Sequence, residues 1–316
     1  MQGVILAAGK GKRLQPVTPA RTKAMAPVAG KPIVARVLDL LVTNGVQDLI
    51  LLVSPDDGDI VPYFAQHTPP GVNVTFVVQH ERLGMAHALG LVAPHLQDDF
   101  IMSACDNLVP PEHLAAMIAT HRREQANATL SLMEIDIAES ASTGIVEWQE
   151  GTRQCIRRIV EKPQPAEAPS NVSSLPLYVF SPKILTLLPQ VKPSKRGEYE
   201  LQDAIQLLID HAGGVTGVLT PVRWQLTNVA DLLELNRHYL TVESVQQDDK
   251  PGVQIIPPVR IDADCLLDAG CTIGPYVYLE PGCRVGVGAR IENAILLRNT
   301  TVAPGAMIAD TVMFNG

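Results

Sequence analysis

The chain has 316 residues, 46% of them hydrophobic and 18% charged, and 33 acidic against 25 basic side chains give a formal charge of -8. That balance excludes a general nucleic-acid or membrane-surface binder, which needs a cationic field over a broad face, so any cation cluster must be local. No apolar run reaches the length of a bilayer span, the first strand follows directly on Met-Gln-Gly, and a cytoplasmic protein is expected.

From the start to about residue 240, short β-branched runs (VILA, LILLV, VTFVVQ, FIMSA) alternate with helical stretches. One of these, PIVARVLDLLVTNG, has Pro32 at a helix start and Asn44-Gly45 at its close, where a fixed φ and a left-handed stop respectively are favoured. This βαβ succession predicts a mainly parallel sheet covered by helices. Between residues 129 and 181 the runs TLSLMEI, TGIVEW, IRRIVEKP and LYVFS predict added antiparallel strands, and amphipathic helices follow in ELQDAIQLLIDHA and NVADLLELNRHYL.

Polar residues and Pro around Gln246 to Gly252 mark a boundary between a first domain, 1–245, and a second, 253–316. Beyond it Ile261, Leu267, Ile273, Leu279, Val285, Ile291 and Leu297 recur every six residues, with Cys265, Cys271, Val277, Cys283 and Ala289 four places after most of them. An aliphatic and a small residue at fixed phases of that period predict a parallel β-helix of hexapeptide repeats, with the register slipping near Val302. The three cysteines then stack as small buried groups. Five cysteines in all, with no CxxC pair, read as reduced thiols.

In open α/β sheets ligands collect beyond the carboxyl ends of the strands, and three stretches fall there. LAAGKGKR, residues 6–13, offers Gly9 and Gly11 for close backbone approach and Lys10, Lys12 and Arg13 for charge, which suits a phosphate although the loop matches neither GxxxxGK[ST] nor GxGxxG. Asp106, where IMSACDNLV leaves the core, is a ligand for a hard cation such as Mg2+ or else part of an Asp-Asn turn. In VVQHERLGMAHAL, Gln79 ends a strand and Gly84 opens a helix, and a Gln amide can pair with a base edge as donor and acceptor at once.

Taken in order, LAAGKGKRLQPVT, TKAMAPVAGKP, Gln79 with LGMAHAL, CDN, TGIV, EKP with the following SN, and GEYELQDAI resemble the sugar-1-phosphate nucleotidylyltransferases across the whole first domain. The resemblance implies a Rossmann-like nucleotide-diphospho-sugar transferase fold with a mixed sheet, followed by a left-handed parallel β-helix. It implies that a nucleoside triphosphate and a sugar 1-phosphate are joined with release of pyrophosphate. By position, Leu6, Ala8, Gly9 and Gly11 belong to the nucleoside-holding loop, Gln79 and Gly84 contact the base, and Arg13 and Lys23 bind the triphosphate. Asp106 holds Mg2+, Lys162 grips the sugar phosphate, and Gly144, Glu161 and Asn171 frame the sugar. Each Lys or Arg matters because unit charges 4 Å apart interact by roughly 4 kcal/mol at an effective dielectric of 20, in a reaction run by positioning and charge stabilisation.

The chain also departs from the family pattern. Lys12, Thr22, Met85 and Cys105 replace its usual residues, and Leu177 is expected where a Gly lines the sugar pocket, which suggests a cyclitol phosphate as another substrate. In VRWQLTNVADLL, Leu226 takes the place of the second metal carboxylate, with Asn228 nearby as a substitute. The competing expectation is a weakly active or inactive homologue serving as a nucleotide-sugar-binding regulatory subunit. Acyl transfer by the β-helix is disfavoured because no histidine follows His238 to act as base. The β-helix is instead expected to mediate a homo-oligomer.

Overall fold

A computed structural model describes residues 1–9, 11, 14, 17, 21–152, 154–244 and 250–314. They form two compact units, one of Met1–Gly9 with Val34–Arg223 and the other of Lys10–Ile33 with Trp224–Gly316.

The first unit is built on a nine-stranded mixed sheet: β1 (Gln2–Leu6), β2 (Asp48–Val53), β3 (Asn73–Val78), β4 (Phe100–Ala104), β5 (Ala128–Glu134), β6 (Gly144–Trp148), β7 (Ile156–Glu161), β8 (Val172–Phe180) and β9 (Val215–Leu219). The helices between them are α1 (Ile33–Thr43), α2 (Ile60–His67), α3 (Met85–Val92), α4 (Pro111–Arg123), α5 (Lys183–Leu187) and α6 (Leu201–Ala212). The order β7-β6-β8-β4-β1-β2-β3 places four parallel strands, β4, β1, β2 and β3, side by side. After the exposed Asp48, the LILLV of β2 is an unbroken apolar run because helices cover both faces of a parallel sheet. Val4, Ile50, Leu52, Met102 and Phe180 pack with Leu89, Ile184, Leu201, Ile205 and Leu208 of α3, α5 and α6 in one core.

The strand β8 divides this sheet. One edge pairs with β5 on both sides of a bulge, while the other pairs first with β6 (Ser173 with Ile145, Ser174 with Gly144) and then with β4 (Leu177 with Ser103 through Phe180 with Phe100). Between the two, the ladder lapses at Leu175-Pro176, and the register against β5 shifts over the same stretch. Proline has no N–H to give a ladder, so Pro176 suits the lapse. The carboxyl end of β4 and the amino end of β6 therefore converge on one gap.

In the second unit, a hairpin of Pro27–Val28 and Lys31–Pro32 turns through Ala29 and Gly30, at φ +45° and +81°, the two left-handed residues of a tight hairpin turn. The helix α7 (Val229–Glu243) is closed at its start by a capping box of Asn228 and Asp231. Short parallel strands follow: β10 (Gln254–Ile255), β11 (Val259–Ile261), β12 (Leu266–Leu267), β13 (Thr272–Ile273), β14 (Val277–Leu279), β15 (Arg284–Val285), β16 (Arg290–Leu296), β17 (Thr301–Val302) and β18 (Met307–Met313).

These strands stack in three columns. Ile255, Ile273, Ile291 and Ile308 align in one, Val259, Val277, Ala294 and Thr311 in the next, and Leu267, Val285 and Val302 in the third. Partners are 18 residues apart at first, as Gln254 and Thr272 are, and 17 apart later, as Asn293 and Asp310 are. The slip expected near Val302 thus falls half a turn earlier, at Glu292-Asn293, and it is Leu296 rather than Leu297 that lies opposite Leu279. Asn293 and Asp310 sit in the left-handed region at this shortened corner. Cys265, Cys271 and Cys283 are buried in the apolar column with Ile273, Leu279 and Val285, the packing role their spacing suggests. All five cysteines are free.

Candidate active site

At the rim of the parallel strands, pairing continues one step beyond each strand end. Ala7 N donates to Leu52 O at 2.8 Å, Gln79 N to Val53 O at 2.8 Å and Cys105 N to Leu6 O at 3.2 Å. Leu6, Ala8, Gly9, Gln79 and Asp106 are thereby brought to one end of the sheet, where ligands of such folds bind. Ala8 is buried and Gly9 exposed, and a β-carbon on Gly9 would meet nothing within 4 Å. Gly9 does not use the left-handed region, whereas Gly11, in the second unit, does so at φ +62°. Arg13 lies outside the described residues. Lys23 opens a short 3-10 turn in the second unit and is half-buried.

Gln79 is buried, with Nε2 3.3 Å from His87 Nδ1 on α3. Gly84 caps that helix at φ +107°, and a β-carbon there would stand 2.5 Å from the carbonyl oxygen and 2.7 Å from the nitrogen of Tyr199. Only glycine lets this helix start approach the Tyr199 backbone, which accepts from Ala86 N at 3.0 Å and donates to Leu83 O at 2.7 Å.

A residue the sequence reading passed over, Arg82, fastens this rim. Its Nε donates to Ala8 O at 2.6 Å and its Nη2 to the buried Ser54 Oγ at 2.5 Å, so one guanidinium ties the loops after β1, β2 and β3. A cation between Gln79 and Gly84 was the available signal, but no motif assigns it a role.

The second group forms beyond the gap in β8. Gly144 pairs with Glu161 across β6 and β7, and Lys162, at φ +49°, donates its N–H to Thr143 O at 3.0 Å. Lys162 Nζ lies 2.9 Å from Glu161 Oε1, and Arg196 Nη2 reaches the same oxygen at 3.3 Å and Glu200 Oε1 at 2.7 Å. The hydrogen bond to Glu200 foremost raises the pKa of Arg196, so the cation is permanent. Burial, then Glu200 and Glu161, raise that of Asp203.

Glu161 Oε2 and Gln202 Oε1 are both buried without a hydrogen-bond partner. A β-carbon on Gly144 would be 3.3 Å from Glu161 Oε2 and 3.3 Å from Gln202 Nε2, so the glycine leaves these polar groups uncovered. Buried acceptors in folded proteins are almost always satisfied, and hydroxyl donors of a ligand would serve. Asn171, at the start of β8, is exposed and its carbonyl accepts from Ile135 N at 3.0 Å.

Two departures look different in the structure. Leu177 is fully buried and paired with Ser103, so it lines no pocket; its neighbour Pro176 is the partly exposed residue at the gap. Leu226 is fully buried, and the Asn228 side chain accepts from Asp231 N at 3.1 Å as the cap of α7. Among the described residues no group of three or more His, Cys, Asp or Glu side chains is placed to hold a metal ion.

A parallel rim carrying a glycine-bearing loop, a glutamine and an aspartate, next to a lysine-carboxylate group, is the frame of a nucleotide-handling transferase. The chain belongs to the nucleotidyl transferase family, which matches residues 2–242, and to its sugar-1-phosphate nucleotidylyltransferases; the GMPPB C-terminal domain matches residues 255–315. It is 36% identical over 209 residues to the UTP–glucose-1-phosphate uridylyltransferase AglF of Haloferax volcanii, covering 66% of this chain and 84% of that one. It is 29% identical over 317 residues to the glucose-1-phosphate thymidylyltransferase of Streptomyces griseus, covering 98% of this chain and 85% of that one. In fold it resembles UDP-glucose pyrophosphorylase complexed with UDP-glucose, with a TM-score of 0.69 at 19% identity over 76% of this chain and 98% of that one.

Proposed function

We propose that this chain joins a nucleoside triphosphate to a hexose 1-phosphate, using Mg2+, and releases pyrophosphate. The observation that carries the reading is the convergence of the Asp106 end of β4 and the Gly144 end of β6 on the gap in β8. It supports a metal-binding carboxylate on one side and a sugar-phosphate group on the other.

In this reading the Ala8-Gly9 backbone and Gln79 hold the nucleoside, with Arg82 fixing the loop. Lys162 neutralises the sugar phosphate so that its oxygen can approach the α-phosphorus in line, and Glu161, Gly144, Gln202 and Asn171 orient the sugar hydroxyls. Lys23 and Arg13 neutralise the triphosphate and the departing pyrophosphate. Such a reaction needs charge neutralisation and alignment rather than a covalent nucleophile.

Asp106 is half-buried and would give the ion a carboxylate, while by the family resemblance the place of a second one is taken by the apolar Leu226. Mg2+ tolerates this, since it commonly takes one or two carboxylates and completes its shell with phosphates and water. When bound, the ion would neutralise charge developing on the phosphates.

We assign the chain to the cytoplasm, which five free cysteines support, and among the described residues no helix is long and apolar enough to cross a membrane. We take 1–245 and 253–316 as functional domains, a division by sequence that differs from the two compact units, since residues 10–33 and 224–244 pack with the C-terminal strands. The stacked columns are read as a left-handed β-helix of hexapeptide repeats, and a homo-oligomer formed through them is checked by light scattering.

The direct test is pyrophosphate release across a panel of nucleoside triphosphates against hexose 1-phosphates and cyclitol phosphates with Mg2+. At least one pairing turns over, and Asp106→Asn abolishes it without unfolding the protein. The buried Leu226 favours a second reading, a nucleotide-sugar-binding regulatory subunit, for which calorimetry shows tight binding while the whole panel stays silent.

A further inference from the structure

Within the second unit, the stretch that carries Lys23 is clamped to the C-terminal stack. Arg21 Nη1 and Nη2 meet Glu280 Oε1 and Oε2 at 2.7 and 2.9 Å, a bidentate fork between residues 259 positions apart. Their side chains are only 13% and 4% exposed. Glu280 Oε2 also accepts from Arg298 N at 2.8 Å, so three donors surround this buried carboxylate. A buried pair of this kind is weak evidence for net stability, yet removing one partner strands a charge and is strongly unfavourable.

The clamp has company. A β-carbon on Gly30 would stand 2.0 Å from Arg260 Nε, so the hairpin after Lys23 lies on the Arg260 side chain with no room for a substituent. Arg260 is itself held by Asp262 at 3.0 Å, and Tyr278 donates to the other Asp262 oxygen at 2.6 Å. Ala29 N donates to Asn236 Oδ1 of α7 at 3.2 Å. Arg237, next on that helix, donates to Asn293 Oδ1 at 2.5 Å. Residues 21–33 are thus packed as part of the C-terminal stack, on both sides of Lys23.

We propose that Glu280 is a positioning residue for nucleotidyl transfer: by gripping Arg21 it sets where Lys23, two residues on, presents its ammonium, so affinity for the triphosphate is governed from the C-terminal stack. This rests on the reading of Lys23 as a triphosphate-binding residue. A planar fork is suited to the task because two parallel hydrogen bonds fix orientation as well as distance.

The test uses the full chain. Glu280→Gln keeps the shape and an acceptor for Arg298 N but loses the charge, and Arg21→Lys keeps the charge but loses the fork. Each raises KM for the nucleoside triphosphate roughly 10- to 100-fold, the range in which a small displacement of a binding group acts, while KM for the sugar phosphate changes less than about twofold. The exchanged pair Arg21→Glu with Glu280→Arg recovers part of the loss relative to either change alone. Folded variants whose two KM values move together, or do not move, overturn the proposal. Lys23→Ala is the control: an unchanged triphosphate KM there overturns the role of Lys23 itself, and the inference with it, whatever Glu280→Gln does.

Discussion

The α-carbon of Gly84 faces the backbone of Tyr199 so closely that the helix α3 and the segment leading into α6 are joined without any side chain between them. Gly84→Ala therefore combines a clash with main-chain atoms and a φ of +107° that side-chain-bearing residues rarely adopt. A loss of about 2 to 4 kcal/mol in unfolding free energy is expected by chemical denaturation, with a higher KM for the nucleoside triphosphate as Gln79 loses its support.

In the proposed reading, Lys162 and Glu161 act on the other substrate. Lys162→Met keeps the side chain's bulk and removes its charge, so KM for the sugar phosphate rises by roughly 100-fold, the worth of a charge-assisted hydrogen bond or two, with triphosphate KM nearly constant. Glu161→Gln weakens the same step, and it frees Arg196 and Lys162 of a shared carboxylate. Steady-state kinetics with each substrate varied in turn separates these effects.

In the proposed reading, adding a second carboxylate by Leu226→Asp is a natural attempt to increase turnover. Leu226 is fully buried, so the change places an unpaired charge in the interior and lowers stability by at least about 2 kcal/mol, or raises the pKa of the new Asp until it is neutral. Thermal melts with and without Mg2+ check this: the melting temperature falls in both.

Acid stability follows from His113. Its ring, on α4, lies 2.8 Å from Ser131 Oγ and is buried, and burial lowers its pKa to about 4, against a weaker upward pull from Glu112. Between that value and the ordinary 6.5 the unfolded chain binds the extra proton, so stability is complete above 6.5 and is lost as pH falls toward 4, by roughly 3 kcal/mol in all. His121, beside Thr129, is shifted in the same direction by burial. Urea unfolding at pH 7 and pH 4.5 should show the drop, and His113→Gln should reduce it.

The strands and helices were legible because their signals are local. LILLV within β2 and FIM within β4 are unbroken apolar runs since both sheet faces are covered, and PIVARVLDLLVTNG ends where Gly45 turns left-handed at φ +84°. The residues that complete the candidate site were hidden because their meaning is nonlocal. Arg82 matters through Ala8 and Ser54, and Gln202 through Gly144 and Glu161, partners that no spacing rule connects. Pro176 was a missed signal, for a proline inside a strand run marks a place where pairing lapses. The early slip in the repeat escaped for a related reason: Leu296 and Leu297 are both buried aliphatics, so composition alone could not choose between them.

The shortened corner at Asn293 has a consequence for anyone who would lengthen the protein. Ahead of Ile273 an inserted block of 18 residues preserves which side chains face inward, as the spacing of Gln254 and Thr272 does. Past Ile291 the working module is 17, and a longer block would rotate every later aliphatic toward solvent and pull Asp310 away from Asn293. The stack is therefore modular at its beginning under one rule and at its end under another.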